Sequence, residues 1–174
     1  MHGARVVTVS HPGQHAGVDA DAAVTAVPGC TVVVRTADCA PIVLEGHHSV
    51  AVVHAGWRGL VAGVVAEAVA ALRAGGDDVR VAHLGPCIRP GCYEFSEPEL
   101  SVVADQLGPS VRSSTAWGTP ALDLPTAVAL ALQAVGVPDL RDESGCTACD
   151  RRWFSHRARA EAERVATVAW LAES

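Results

Sequence analysis

Residues 50–64 have the sequence VAVVHAGWRGLVAGV, and this stretch decides how the chain is organised. The apolar, largely β-branched run 50–53 predicts a buried strand, which ends before the glycines at 56 and 59. Residues 60–73 are rich in Ala, Leu, Glu and Arg, so they predict a helix that closes at the glycine pair 75–76. The stretch therefore predicts a strand, a tight turn and a helix.

Two polar side chains occupy the ends of these elements. His54 ends the strand, and Arg58 begins the helix. An imidazole is a common metal ligand, and a helix start attracts anions through its free N–H groups. The spacing predicts a metal ligand and an anion-binding guanidinium four residues apart. The alternative is a helix-capping turn with a solvated Arg58.

Composition limits the classes of function. The chain has 174 residues, and 49% of them are hydrophobic, so it can bury a real core in a single domain, residues 1–174. No apolar run is long enough to span a membrane and no leader is recognisable, so we expect a cytoplasmic protein without a membrane partner. A net charge of −6 argues against nucleic acid, but it allows an anionic substrate at a local arginine cluster.

The rest of the chain mixes strands and helices irregularly. Strands are predicted over 5–9, 31–35, 42–44, 79–84 and 165–171, and helices over 97–107 and 123–135. For residues 22–26 and 111–118 the sequence favours neither strand nor helix. The order predicts an α+β fold with mixed sheets flanked by helices.

Three scattered residues suggest a metal site. Cys39 and His54 both lie at strand ends, and His2 precedes a further strand. Two histidines and one cysteine with an open fourth position are typical of a catalytic zinc site. The alternative is that Cys39 is a small core residue and His2 belongs to a frayed terminus.

The cysteines also allow two other interpretations. One is a four-thiolate structural zinc site, formed by Cys87, Cys92, Cys146 and Cys149. The other is a nucleophilic thiol, Cys39 or Cys87, paired with His54 or His156. The sequence leaves these alternatives open, because metal binding and nucleophilic attack need the same thiolate.

Several motifs together point to a known family. They are TADCAP at 36–41, HAGWRG at 54–59, GPCI at 85–88 with YE at 93–94, LDL at 122–124, and CT at 146–147 with FSHR at 154–157. In this order they resemble the laccase-domain family, also called the YfiH-type or multicopper polyphenol oxidase family. The resemblance runs from His2 almost to the last residue.

The resemblance implies a single α+β domain that holds one zinc ion on His2, Cys39 and His54. It implies phosphorolysis of adenosine, inosine, guanosine and methylthioadenosine, with adenosine deamination as a side activity. We expect Cys39, His54 and Arg58 to be catalytic, and Arg58 and Arg157 to bind phosphate. Two other activities of the family remain as alternatives, namely copper-dependent oxidation of phenols and a cysteine-type hydrolysis of peptidoglycan precursors.

The chain also departs from the family pattern. Relatives carry a further segment before a QVHG motif, whereas here Met1 precedes His2, so we expect an N-terminally short member. Val128, Ala158 and the triplet AER at 162–164 replace family residues. A non-enzymatic remnant is therefore one of the hypotheses.

Overall fold

The computed structural model describes residues 2–143 and 145–173. Within these residues the strands are β1 (Val6–Thr8), β2 (Ala22–Thr25), β3 (Val32–Thr36), β4 (Ala40–Glu45), β5 (Val50–Ala55), β6 (Val81–Leu84), β7 (Arg112–Ser114), β8 (Pro120–Leu122), β9 (Leu140–Asp142) and β10 (Val165–Ala169). The helices are α1 (Trp57–Val61), α2 (Val64–Ala74), α3 (Glu97–Leu107), α4 (Leu124–Ala134) and α5 (His156–Arg159). Short 3-10 turns cover Pro90–Cys92 and Pro109–Val111.

The fold is built around a mixed six-stranded sheet in the order β1-β2-β5-β4-β6-β9. The outer pairs β1–β2 and β6–β9 are parallel, whereas the inner pairs are antiparallel. Helices α2 and α4 cover one face and share the main hydrophobic core with the sheet. The antiparallel pair β3–β10 covers the other face over a smaller core. The predicted α+β architecture, with mixed sheets flanked by helices, is confirmed.

Strand β5 lies at the centre of this arrangement. All six of its residues are buried. Ala51 and Val53 belong to the core under the helices, whereas Val50 and Val52 belong to the core on the opposite face. A strand that is covered on both faces needs a continuous apolar run, because neither face meets water. Each buried valine contributes about 1.5–3 kcal/mol to folding.

The helix predicted over 60–73 is wrong as a single element. The structure has α1 followed by α2, and the break lies at Gly63, whose φ of 86° is left-handed. Such a φ is accessible to glycine at little cost and ends a regular helix. The good helix formers on either side hide this break in the sequence.

Most other predicted elements are present. The helix predicted over 97–107 is α3, the one over 123–135 is α4, and the last strand predicted over 165–171 is β10. The unassigned segments contain β2 and the short antiparallel pair β7–β8. Among the described residues, no helix combines the length and the apolar character that crossing a bilayer requires.

A buried carboxylate holds the turn between β4 and β5. Asp77 is 7% exposed and accepts hydrogen bonds from the backbone N–H groups of His47 and His48 and from the Ser49 hydroxyl. Burial opposes ionisation of Asp77, but these hydrogen bonds outweigh it and hold the pKa of the carboxyl well below its usual range. The turn is far from the end of β5 that carries His54.

Candidate metal centre and its surroundings

Three potential metal ligands from distant parts of the chain meet at one end of β5. The ligand atoms of His2, Cys39 and His54 all lie within 4.8 Å of one another. The β4–β5 register places Pro41 opposite His54, so Cys39 lies just beyond the paired residues. The ring centroids of His2 and His54 are 5.2 Å apart. The predicted convergence of the three side chains is confirmed, and their role as metal ligands stays a prediction.

A buried carboxylate lies behind one of these imidazoles. Asp21 Oδ1 is 3.7 Å from His54 Nδ1, and the two residues are 4% and 9% exposed. In the part of the chain that the structure describes, neither atom has a hydrogen-bond partner. A carboxylate in this position orients a ligating imidazole and leaves its other nitrogen for an ion. The pair therefore fits the surroundings of a metal ligand.

Both imidazoles are in the form that binds metals. Burial lowers the pKa of His54, the charge on His2 lowers it further, and Asp21 opposes these effects only in part. Burial also lowers the pKa of His2, and the Arg58 guanidinium adds to the effect. The rings are therefore neutral at neutral pH, so each offers a lone pair.

The thiol of the cluster is a poor free nucleophile. Burial raises the pKa of Cys39 to about 11, and the charge on Asp38 adds to this effect while Arg164 opposes it. A thiol with this pKa is protonated at neutral pH, whereas nucleophilic attack needs the thiolate. A cation beside two neutral imidazoles would stabilise the thiolate. Cys39 thus fits the role of a ligand better than that of an unassisted nucleophile.

The backbone leaves room for these side chains at Gly56. A Cβ atom there would lie 3.0 Å from Cys39 Sγ and 3.1 Å from His2 Cδ2. The glycine is needed for space and not for its conformation, because its φ of −81° suits any residue. Two imidazoles and one thiolate with a fourth position free suit zinc, and copper accepts the same donors. The cluster could therefore hold a metal ion, and its donors suit both zinc and copper.

The first predicted anion-binding arginine belongs to the helix that follows β5. Arg58 lies in the first turn of α1, and its guanidinium carbon is 4.2 Å from the centroid of the Trp57 ring. Its Nη2 atom is 3.5 Å from the half-exposed carboxylate of Glu99. An exposed ion pair of this kind is weak, so Glu99 does not prevent Arg58 from binding an anion.

The second predicted anion-binding arginine, Arg157, lies over the ring of Tyr93, a residue that is also close to Cys39. Arg157 donates from Nη1 to the Glu94 carbonyl at 2.8 Å, and its guanidinium carbon is 5.0 Å from the centroid of Tyr93. Burial raises the pKa of Tyr93, the Cys39 charge raises it further, and Arg157 and Arg58 lower it. These electrostatic effects put Tyr93 near the cluster and near both arginines.

Asp38 organises the loops around the cluster. Its carboxylate accepts hydrogen bonds from the hydroxyls of Thr147 and Ser155 at 2.6 and 2.7 Å, and from the backbone N–H of Arg157 at 2.6 Å. Asp38 is 7% exposed and has a left-handed φ of 85°, a conformation that aspartate tolerates better than most residues. The residue before Cys39 thus holds the 147 loop and the start of α5 in place.

The other cysteines separate into two kinds. Cys87 is fully buried and its pKa is raised to about 12, first of all by burial, so it cannot act as an exposed nucleophile. The sulfurs of Cys92, Cys146 and Cys149 lie within 4.8 Å of one another, and Cys87 is outside this group. The predicted four-thiolate set is therefore wrong, because Cys87 is packed into the main core.

Two residues of the site were not predicted. Asp21 precedes β2, a strand that the local sequence does not predict, and only the β2–β5 pairing brings it to His54. Arg164 borders a cleft of about 700 Å³ that also reaches His54 and the loop 13–20. An aspartate before an apolar run is the one local signal for Asp21, whereas no local pattern identifies Arg164. The cleft is large enough for a small molecule.

Comparisons with known proteins agree with the fold. The model of the family described as multi-copper polyphenol oxidoreductase laccase matches residues 1–172. YlmD from Geobacillus stearothermophilus superimposes with a TM-score of 0.84 at 28% identity, over 99% of this chain and 71% of that one. The YfiH protein of Bacillus licheniformis has a TM-score of 0.86 at 24% identity, over 98% and 72%, which is evidence for the fold alone.

Curated relatives are similar over nearly the whole chain. A purine nucleoside phosphorylase of Streptomyces coelicolor is 40% identical over 176 residues, 98% of this chain and 72% of the relative. A purine nucleoside phosphorylase of Mycobacterium tuberculosis is 37% identical over 175 residues, 98% and 70% of the two chains. Together with the family model, these similarities show that the chain belongs to the laccase-domain, or YfiH-type, family.

Proposed function

We propose that this protein is a zinc-dependent purine nucleoside phosphorylase that acts on adenosine, inosine, guanosine and methylthioadenosine, with adenosine deamination as a side activity. The observation that carries the proposal is the meeting of His2, Cys39 and His54 beside a cleft. Relatives that are 37–41% identical and are named purine nucleoside phosphorylases support it.

The donor set suits the proposed ion. His2 and His54 provide neutral nitrogens, and Cys39 provides a sulfur. Asp21 lies 3.7 Å from the Nδ1 atom of His54, which leaves the other ring nitrogen of His54 for the ion. When bound, zinc supplies a Lewis acid next to the substrate. The protein's part is to hold the two rings and the thiol in one place, which Gly56 allows by leaving space for them.

Phosphate needs a separate anion site, and the two arginines provide it in the proposal. Arg58 and Arg157 both act electrostatically on Tyr93, so their positive charges lie on the side of the cluster where Tyr93 is found. Guanidinium groups bind phosphate by paired, charge-assisted hydrogen bonds. Because Arg157 is tied to Asp38 through its backbone, its position is coupled to that of Cys39.

The reaction is a substitution at the ribose. A phosphate oxygen forms a bond to C1′ while the bond from C1′ to the purine nitrogen breaks, and the electron pair of that bond moves into the base. The base then takes up one proton. The arginines lower the entropic barrier by holding phosphate against C1′, and they favour phosphate over water as the attacking group.

A direct test is incubation of the zinc-loaded protein with inosine and phosphate, followed by measurement of ribose 1-phosphate and hypoxanthine. We expect both products in equal amounts, and a loss of at least about 100-fold in kcat/KM for His54→Ala, because this variant removes a proposed ligand and leaves Asp21 buried without its imidazole. His48→Ala is the matched control, since His48 lies in the remote turn at Asp77. It should keep wild-type turnover.

Three measurements separate the phosphorylase from the other candidate activities. Wild-type turnover no higher than that of His54→Ala would refute the phosphorylase. The family description favours a second candidate, copper-dependent oxidation of phenols, because copper also accepts histidine and cysteine donors. Metal analysis of protein purified without added copper, combined with phenol oxidation by that sample, tests this candidate. Adenosine converted to inosine without phosphate would support the proposed side activity.

A further inference from the structure

A second cluster of potential ligands lies in a different part of the surface. Cys92 ends the 3-10 turn Pro90–Cys92, and Cys146 and Cys149 flank a short turn after β9. Their three sulfurs are within 4.8 Å of one another, and Cys92 Sγ is 2.6 Å from Cys149 Sγ. Cys149 is exposed, whereas the other two are half-buried. Three thiols are thus gathered at a point that solvent reaches.

The turn between Cys146 and Cys149 has the geometry of a ligand-bearing loop. Asp150 N–H donates to the Cys146 carbonyl at 2.9 Å, which closes the turn. Backbone N–H groups of Arg89, Ala148 and Cys149 are directed at the Cys146 sulfur. Backbone N–H groups that point at a sulfur stabilise the anion that binds a metal.

Two arginines hold this loop without contributing a ligand. Arg89 donates from both terminal nitrogens to the Asp142 carboxylate at 2.6 and 2.7 Å, and from Nε to the Gly145 carbonyl at 3.3 Å. Arg159 donates to the carbonyls of Thr147 and Ala148 at 3.2 and 3.0 Å. The loop is therefore positioned by the protein itself, which lowers the cost of ordering the three sulfurs around an ion.

We propose that Cys92, Cys146 and Cys149 form a second metal site, for a thiophilic cation such as Zn²⁺, with its fourth position open to solvent. Each thiol loses one proton when the ion binds. Tetrahedral zinc with bonds of about 2.3 Å separates its sulfurs by about 3.8 Å, so the Cys92–Cys149 pair must open on binding. Rotation of the exposed Cys149 side chain provides this movement.

An ion at this site would join two segments that meet at the candidate centre. Cys92 precedes Tyr93, which lies near Cys39 and both arginines. Cys146 precedes Thr147, whose hydroxyl donates to Asp38. The second ion would therefore stabilise the surroundings of the first cluster without touching substrate. The site does not depend on the proposed phosphorylase activity, because its evidence comes from other residues.

The test uses reduced, metal-free full-length protein and Co²⁺ as a spectroscopic probe. A thiolate bound to cobalt gives a charge-transfer band in the near ultraviolet, and its intensity grows with the number of thiolates. We expect about two ions per chain and a band of about four thiolates in the wild type, one from Cys39 and three from the second cluster. Cys149→Ser should lose one ion and most of the band.

Cys39→Ser is the reciprocal variant, and it should keep a band of about three thiolates. Cys92→Ser repeats the test from the other segment, in case one variant misfolds. Added Zn²⁺ should raise the Tm of Cys39→Ser through the second cluster, and this rise should disappear in the double variant Cys39→Ser/Cys149→Ser, in which neither cluster has all of its ligands. The proposal is overturned if the wild-type band corresponds to one thiolate. It is also overturned if Cys92 and Cys149 form a disulfide while Zn²⁺ is present.

Discussion

The two clusters differ in both their donors and their origin in the chain. His2, Cys39 and His54 come from three separate segments, combine nitrogen with sulfur, and are backed by the buried Asp21. The second cluster has three sulfurs, two of them from one turn, and Cys149 is exposed. Mixed nitrogen and sulfur donors are typical of catalytic sites, whereas thiolate-rich sites are typical of structural ones. The donors therefore agree with the proposed roles, which are chemistry at the first cluster and stability at the second.

Asp38 connects the two clusters. It precedes Cys39 in sequence, and its carboxylate accepts from Thr147, which follows Cys146. A displacement of Asp38 at the first cluster should therefore also displace the loop of the second cluster, because the buried hydrogen bonds of Asp38 connect the two. Substitutions at Asp38, at Gly56 and at Asp77 should affect both clusters, one cluster and neither cluster, respectively.

The largest effect is expected for Asp38→Asn. The amide keeps the shape and tolerates the left-handed φ. Its NH₂ group replaces one oxygen and cannot accept, so either the two hydroxyls that donate to Oδ1 or the Arg157 N–H that donates to Oδ2 loses its acceptor. We expect a loss of about 2–3 kcal/mol in the free energy of unfolding, measured by urea denaturation. Co²⁺ binding should weaken at both clusters. The exposed Asp105→Asn should change stability by less than about 0.5 kcal/mol, and an equal loss in both variants would contradict the network.

Gly56→Ala should affect the first cluster alone. The new Cβ would press on Cys39 Sγ and His2 Cδ2, so we expect about 1–2 kcal/mol of destabilisation and weaker metal binding at that cluster. Gly91→Ala is the matched control, since a Cβ there meets no atom within 4 Å and lies next to Cys92. Titration of both variants with Co²⁺ measures the two sites. Unchanged binding at the first cluster in Gly56→Ala would show that its geometry is misassigned.

The smallest effect on either cluster is expected for Asp77→Asn. The pKa of Asp77 is lowered in the folded protein, so its charge stabilises the fold above the pKa of the unfolded chain, about 3.9. The variant should lose about 2–3 kcal/mol at neutral pH, because its NH₂ group cannot accept the hydrogen bonds that the carboxylate accepts. The difference in Tm from the wild type should shrink as pH falls below about 4, where the unfolded chain takes up the proton first. If the difference in Tm between the wild type and Asp77→Asn were constant from pH 7 to pH 3, the lost stability would come from the altered shape of the side chain and not from its charge.

Local patterns predict most of the elements of this fold. The run 50–53 is apolar because β5 is covered on both faces, and the helices α3 and α4 follow amphipathic segments with clear starts. The prediction fails at Gly63, where a left-handed glycine ends α1 among good helix formers. Propensity averages over a window of residues, whereas a single backbone angle decides whether a helix continues.

The candidate site is predictable only in part. His2, Cys39 and His54 can be proposed from residue types and from strand ends, and the structure brings them together. Asp21 could not be proposed, because its meeting with His54 depends on the β2–β5 pairing. Cys87 has the spacing of a ligand, but packing into the main core removes it from the sulfur cluster. The spacing of cysteines along the chain does not determine whether a side chain points into the core, as Cys87 does, or toward the other sulfurs.

The sequence alone therefore determined the central strand, the turn and the helical character of the segment that follow it, and the residue types able to hold a metal or an anion. These depend on short-range preferences that a few neighbouring residues express. Only the tertiary structure decided which cysteines share a cluster, that Asp21 lies behind His54, and that Asp38 joins the loops of both clusters. Such contacts depend on how strands pair and on what is buried between distant segments, and the local sequence does not contain this information.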